Sequence, residues 1–270
     1  MYQEITSTRT VTITSPPEPA IEACENVVMS AQQFVILLPP TEGKAVGGHA
    51  ELPWKPDSGT FGNGLGAHRS ELLAHLKKSK GGDQKLLGVS GAHLTRAQAA
   101  NTHLMNAPSL PAWQRYTGVV WDHLDLASLT TAQRNSIAKR IYVPSGLAGL
   151  VRADDPLPDY RLKMGARLAP FGTLSKWWRD DITNALVKAL QGRVLIDLLP
   201  NEHRAAINWD LVPTAIRVDL VAHSGGIVGG HNAKAAKGLL ARHLFLSSGA
   251  DIRRTVASFK HPEYSAKVTP

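Results

Sequence analysis

Five apolar residues in a row, Phe34-Val35-Ile36-Leu37-Leu38, run into Pro39-Pro40. A short apolar run stopped by proline reads as a strand, and a strand with no polar face belongs in the middle of a sheet that is covered on both sides. The run is far shorter than the ~18 residues a membrane span needs. The chain must therefore supply flanking strands and covering layers. Further strands are expected at Ile141–Val143, 193–198 and 215–222, and helices at about 67–77, 112–123, 130–140, 173–191 and 232–247. Strands and helices alternate without a repeat, which predicts an α/β (α+β) fold: one domain with a mixed sheet wrapped by helices.

Helix limits follow from local chemistry. Thr130 and Thr173 are placed as N-caps, and Gly192 as the residue after a C-terminus. Leu174, Trp177, Trp178, Ile182, Leu186 and Leu190 fall on one side of the 173–191 helix, its expected buried side. Trp113, Tyr116, Val120 and Leu124 line one face of 112–123 in the same way. The run 143–168, VPSGLAGLVRADDPLPDYRLKMGARL, reads as a turn at Ser145-Gly146, a short apolar helix from Leu147 to Val151, an acidic loop and a strand from Tyr160 to Met164. In that strand Arg161 and Lys163 share a face, because side chains two apart point the same way.

Residues 1–30 are rich in Thr, Ser, Pro and Glu and lack a basic stretch followed by an apolar core, so a flexible tail is expected rather than a secretory signal. Thr10–Thr14 alternates as an edge strand would. The folded domain is assigned to 31–270. Cys24 is the only cysteine, so no internal disulfide forms, which suits a cytoplasmic location. The net charge is +8, and residues from 134 onward hold twenty of the thirty Lys and Arg but eleven of the twenty-two acids. Such asymmetry points to a polyanion partner, with a merely solubilising surface as the plain alternative. Within 81–104, the Leu87–Gly91 turn stands between two helical segments, the second from about Thr95. This resembles a helix-hairpin-helix, whose turn offers backbone N–H groups to a phosphate, with a plain packing corner between two helices as the alternative. Gly88, Ser90 and Gly91 are its candidate contacts, although Ser90 stands where a second turn glycine is common.

The run SGLAGLVRADDPLPDYRLKMG resembles the central signature of the YaaA family, bacterial proteins tied to peroxide stress. VILLPPTEGK (35–44), YTGVVWDHLDLASL (116–129), LSKWWRDDITNAL (174–186) and HNAKAAKGLLARHL (231–244) fall in that family's order. The resemblance covers about 34–260. It implies a cytosolic, mixed α/β protein that binds DNA, and brings no reaction with it.

Lys44, Arg161, Lys163, Lys234 and Lys237 lie in those motifs, and Arg242 is on the same helix as the last two. Together they predict an electropositive cleft that binds DNA phosphates, with some of the cations balancing Glu42, Asp155 or Asp159 instead. Patterns for catalysis are mostly missing. Lys44 lacks the glycine spacing and the following Ser or Thr of a phosphate loop, Glu202-His203 lacks a second histidine, and Ser90 is not in a nucleophile elbow. His223 and His231 lack a third ligand, so no metal and no cofactor is expected. An enzyme acting on a small anionic metabolite, nucleotide-like or carboxylated, remains the rival reading, in a cleft lined by lysine, arginine, Tyr116 and Tyr160. A deep pocket would favour it, and an open groove would favour DNA.

Overall fold

The computed structural model describes residues 34–225, 228–247 and 251–269. The expected tail and the Thr10–Thr14 strand lie outside the described residues. The main sheet has six strands: β1 (Phe34–Leu37), β2 (Ile141–Ser145), β3 (Gly149–Arg152), β4 (Val194–Asp197), β5 (Ala215–Ala222) and β6 (Tyr264–Thr269). Their order is β6-β5-β4-β1-β2-β3. β1 pairs in parallel with β4 and β2, placing Ile36 opposite both Ile196 and Ile141. β4 and β5 are also parallel, whereas β6 and β3 close the two edges antiparallel. Every residue of β1 is buried, as expected of a strand without a polar face. The sheet is mixed, as predicted.

Helices α1 (Gly62–Lys78), α2 (Gln84–Leu87), α3 (Gly91–Thr102), α4 (Ala112–Arg115), α5 (Val119–Leu124) and α6 (Thr131–Ala138) lie between β1 and β2 in the chain. Between β3 and β5 come α7 (Leu174–Trp177), α8 (Arg179–Leu190) and α9 (Asn201–Arg204), and α10 (Gly230–Leu246) precedes β6. Thr130 caps α6 through a reciprocal pair of bonds with Gln133. α10 packs so closely on α5 that a Cβ at Gly238 would collide with the Val120 carbonyl oxygen. The prolines at 108–111 and 156–158, expected to be loop, join His49–Pro53 in a small second sheet.

Several boundaries differ from expectation. Leu147–Val151 is not a helix: Ser145 and Gly149 pair across a tight turn, so β2 and β3 form a hairpin. Gly149 has φ +68°, and a Cβ there would come within 2.9 Å of the Trp178 ring. The helix expected at 112–123 is broken into α4 and α5 at Thr117-Gly118, and that at 173–191 into α7 and α8 around Trp178. Thr173 makes no side-chain cap, and Gln191, with φ +48°, ends α8 one residue before Gly192. Trp178 is fully buried while Trp177 is only half-buried against Phe171 and His68. Tyr160–Met164 is not in a sheet. The arm before Gly88 is a single turn capped by Asp83, and α3 starts at Gly91, a turn earlier than expected. A full helix pair about that turn is not formed. The expected glycine hairpin after Ala222 includes residues 226–227, outside the described ones.

Candidate functional site

The C-terminal end of β1 feeds the loop that carries Lys44. Trp121 donates its indole N–H to the Pro39 carbonyl (3.1 Å), fixing the start of this loop. Farther on, Lys44 makes a backbone bridge to Tyr116. The wholly buried Arg115 donates to the carbonyls of Ala45 (2.5 Å), Gly47 (2.9 Å), Leu157 (3.1 Å) and Pro108 (3.3 Å). The loop has little regular structure of its own, so a single guanidinium supplies the donors its carbonyls need.

Lys44 Nζ donates to the Thr41 carbonyl at 2.8 Å and sits 4.1 Å from the centre of the Tyr160 ring and 5.6 Å from that of Tyr116. No ion pair joins it to a carboxylate among the described residues. Under it runs a chain of hydroxyls: Tyr116 and Tyr160 meet at 3.1 Å, and Tyr160 meets Ser145 at 2.8 Å. Ser145 in turn accepts from the Ala148 N–H, so the β2–β3 turn holds one end of the chain. Burial pushes both tyrosine hydroxyls above their ordinary range. Burial, aided by the charges of Arg161 and Arg115 and opposed by Asp159 and Glu42, lowers the Lys44 ammonium to about 7.

The opposite wall is charged. Arg161 and Lys163 both pair with the Glu42 carboxylate, at 2.5 and 2.6 Å, and Arg96 pairs with Asp159 at 2.8 Å. Asn101 fixes the backbone of Arg161 by bonding both its N–H and its carbonyl. Between these walls the cleft has two lobes that share Glu42, Lys44, Tyr160 and Arg161. The larger, about 280 Å³, reaches His93, Arg96 and Thr117. The smaller, about 70 Å³, reaches Lys163, Met164 and His203. His203 Nδ1 is buried without a partner among the described residues, and burial holds its pKa below the usual histidine value.

Lys44, Arg161 and Lys163 are thus brought together, and the Gly88–Gly91 turn adjoins them. Arg161 Nε donates to the Leu87 carbonyl at 3.0 Å, and the Lys163 ammonium lies 3.5 Å from where a Cβ on Gly88 would stand. α10 contributes differently from expectation. Lys234 is exposed, but Lys237 turns inward to the Leu198 carbonyl (2.5 Å), and burial lowers it to about 8. Arg242 is held by the carbonyls of Leu124 and Asp125 and by Ser128. The shared basic face of that helix is not formed. Leu239, on the same helix, is partly exposed. Sequence reasoning offered Glu42 as one of three counter-ions without singling it out as the shared partner of Arg161 and Lys163, and weighed His203 only as a metal ligand. Among the described residues no group of three or more His, Cys, Asp or Glu could hold a metal, and no helix is long and apolar enough to cross a membrane.

The low Lys44 value has a consequence for stability. The folded chain releases this proton near pH 7, whereas the unfolded chain keeps it to about pH 10.4. Between those values the unfolded state holds more protons, so this group's contribution to stability rises with pH and its penalty is complete below the window. Relative to the parent, Lys44→Met should therefore be better off at about pH 6 than at about pH 9 in urea unfolding. A pH-independent difference would mean that the amine titrates as an ordinary lysine.

A family profile described as "Peroxide stress protein YaaA" matches residues 34–268. A UPF0246 protein of Streptomyces coelicolor is 35% identical over 225 residues, covering 80% of this chain and 85% of its own length. UPF0246 proteins of Corynebacterium efficiens and Corynebacterium glutamicum are 36% and 33% identical, each covering 79% of this chain and 86% of their own length.

Proposed function

The chain belongs to the peroxide stress protein YaaA family, and from that premise we propose that it binds cytoplasmic duplex DNA through the phosphate backbone, largely without regard to sequence. The observation that carries this reading is the junction at Arg161, whose guanidinium touches both the Leu87 carbonyl and Glu42. It joins the α2–α3 turn to the cations of the cleft. Ser90 places no side-chain bond on the first N–H groups of α3, leaving them open to an anion. Lys77, Lys78, Lys80 and Lys85 precede this turn in the chain and are exposed, and the net charge of +8 favours encounter with a polyanion.

Phosphate contacts carry no base information, so affinity should vary little among duplexes of different sequence. It should fall steeply with salt, each lost contact reducing the logarithmic slope by roughly 0.9. In fluorescence anisotropy, Arg161→Gln with Lys163→Gln is expected to weaken binding to all duplexes alike and to flatten the slope. Lys237→Ala removes an ammonium already bonded to Leu198, and should leave the slope unchanged. Absence of salt-sensitive binding by the parent at low ionic strength would end the DNA reading.

A further inference from the structure

We propose that the two-lobed cleft is also a catalytic site, in which the Lys44 amine forms an imine with a small aldehyde or ketone bearing a phosphate or carboxylate. This activity is separate from DNA binding. Lys44 lies where the lobes meet; among the described residues its ammonium is hydrogen-bonded only to a backbone carbonyl, and the Tyr160 ring covers it. A lysine partly withdrawn from water and set beside other cations is the type that attacks carbonyls. Its ammonium value of about 7 leaves much of the amine neutral at that pH. Arg96, Arg161 and Lys163, which line the same lobes as Lys44, give the anionic end of the substrate a place to bind. Lobes of about 280 and 70 Å³ fit a small metabolite.

The step balances without a redox partner. The amine nitrogen adds to the carbonyl carbon, and the resulting carbinolamine loses its oxygen as water. Both amine hydrogens end on that oxygen, and the carbon–oxygen double bond is replaced by carbon–nitrogen. Two protons must therefore be carried from nitrogen to oxygen, one as the carbinolamine forms and one as it loses water. His203 is suited to this because it shares the smaller lobe with Lys44 and is disfavoured as a cation by burial. Nothing in the sequence around Glu202-His203 marks it for such a role. The helix α9 delivers it from 159 positions away in the chain.

The probe is glycolaldehyde phosphate with sodium cyanoborohydride, which reduces an imine to a stable amine, followed by peptide mass mapping. One dominant adduct is expected, on Lys44, forming roughly tenfold faster than on exposed Lys77, Lys78 or Lys80 near pH 7. Inorganic phosphate should suppress it, and uncharged glycolaldehyde should react far less. The groups facing Lys44 are Glu42, Asp159, Arg161, Arg115 and the two tyrosines, with His93 and Arg96 in the larger lobe and Lys163, Glu202 and His203 in the smaller. With these in place the trapping rate should reach half its plateau at about pH 7, while exposed lysines continue to gain reactivity above it. His203→Gln should slow trapping about 100-fold without moving the adduct. Labelling spread over the surface lysines, or an unmodified Lys44, overturns the proposal, and mapping on the unaltered protein decides this even if Lys44→Arg fails to fold. An unchanged rate in His203→Gln removes the histidine from the step. DNA affinity is read separately, so failure of either reading leaves the other measurable.

Discussion

Trp178→Ala is expected to destabilise the fold by about 3–5 kcal/mol, the range for truncating a large buried ring. The side chain is fully buried, and its indole N–H donates to the Gly146 carbonyl at 3.0 Å. It also fills the space over Gly149 in the β2–β3 turn. Alanine therefore leaves a cavity and an orphaned carbonyl beneath the hairpin that holds Ser145. Trp177→Ala should cost clearly less, because that ring is only half-buried. Urea unfolding of the two variants checks the order. Equal losses, or a larger loss at 177, would mean that the junction of α7 and α8 is rotated.

The second large effect is expected at Arg115. Arg115→Met keeps much of the side-chain volume but leaves four carbonyls without their donor. A buried polar group left unpaired costs about 1–3 kcal/mol. Some of these carbonyls will find water, so a net loss of about 3 kcal/mol or more is expected. The damage should be local before it is global, because Ala45 and Gly47 follow Lys44 in the loop. Hydrogen exchange should show faster opening at 44–48 than in β1, and the titration near pH 7 should disappear with it. A variant that melts like the parent would show that the loop is held by its backbone bridge to Tyr116 alone.

Much of the frame was legible because it rests on pattern. β5 starts and ends where alternation placed it, and β1 needed only its apolar run. The hairpin of β2 and β3 was misread because Leu-Ala-Gly-Leu-Val is buried throughout. A stretch with no polar face has no period, and so cannot be told from a short buried helix. The break at Gly118, with φ +139°, is a local backbone event inside a stripe that still reads as helical. The second sheet was hidden by its prolines, which confine such strands to edges and weaken their signal. At the site, Lys44, Arg161, Lys163, Tyr116 and Tyr160 were found from charge and motif. Glu42 was named only as one of three counter-ions and His203 only as a failed metal ligand, because the contacts that single them out exist only after distant segments meet.

Glu42 holds the Arg161 and Lys163 heads in place before any ligand arrives. An incoming anion does not meet two hydrated cations. It meets cations that already have a counter-ion, tethered to the same loop as Lys44. Binding is thus an exchange of one negative group for another, and its free energy is the difference between the two. A singly charged carboxylate replaces like with like and gains little. A doubly charged phosphate offers more charge and more acceptor oxygens, so it can displace Glu42, whose half-exposed carboxylate can then turn to water. Because the displaced group remains tethered nearby, it also competes to return. If the proposed anion binding takes place here, the same carboxylate that arranges the wall would set its threshold for charge and hasten release.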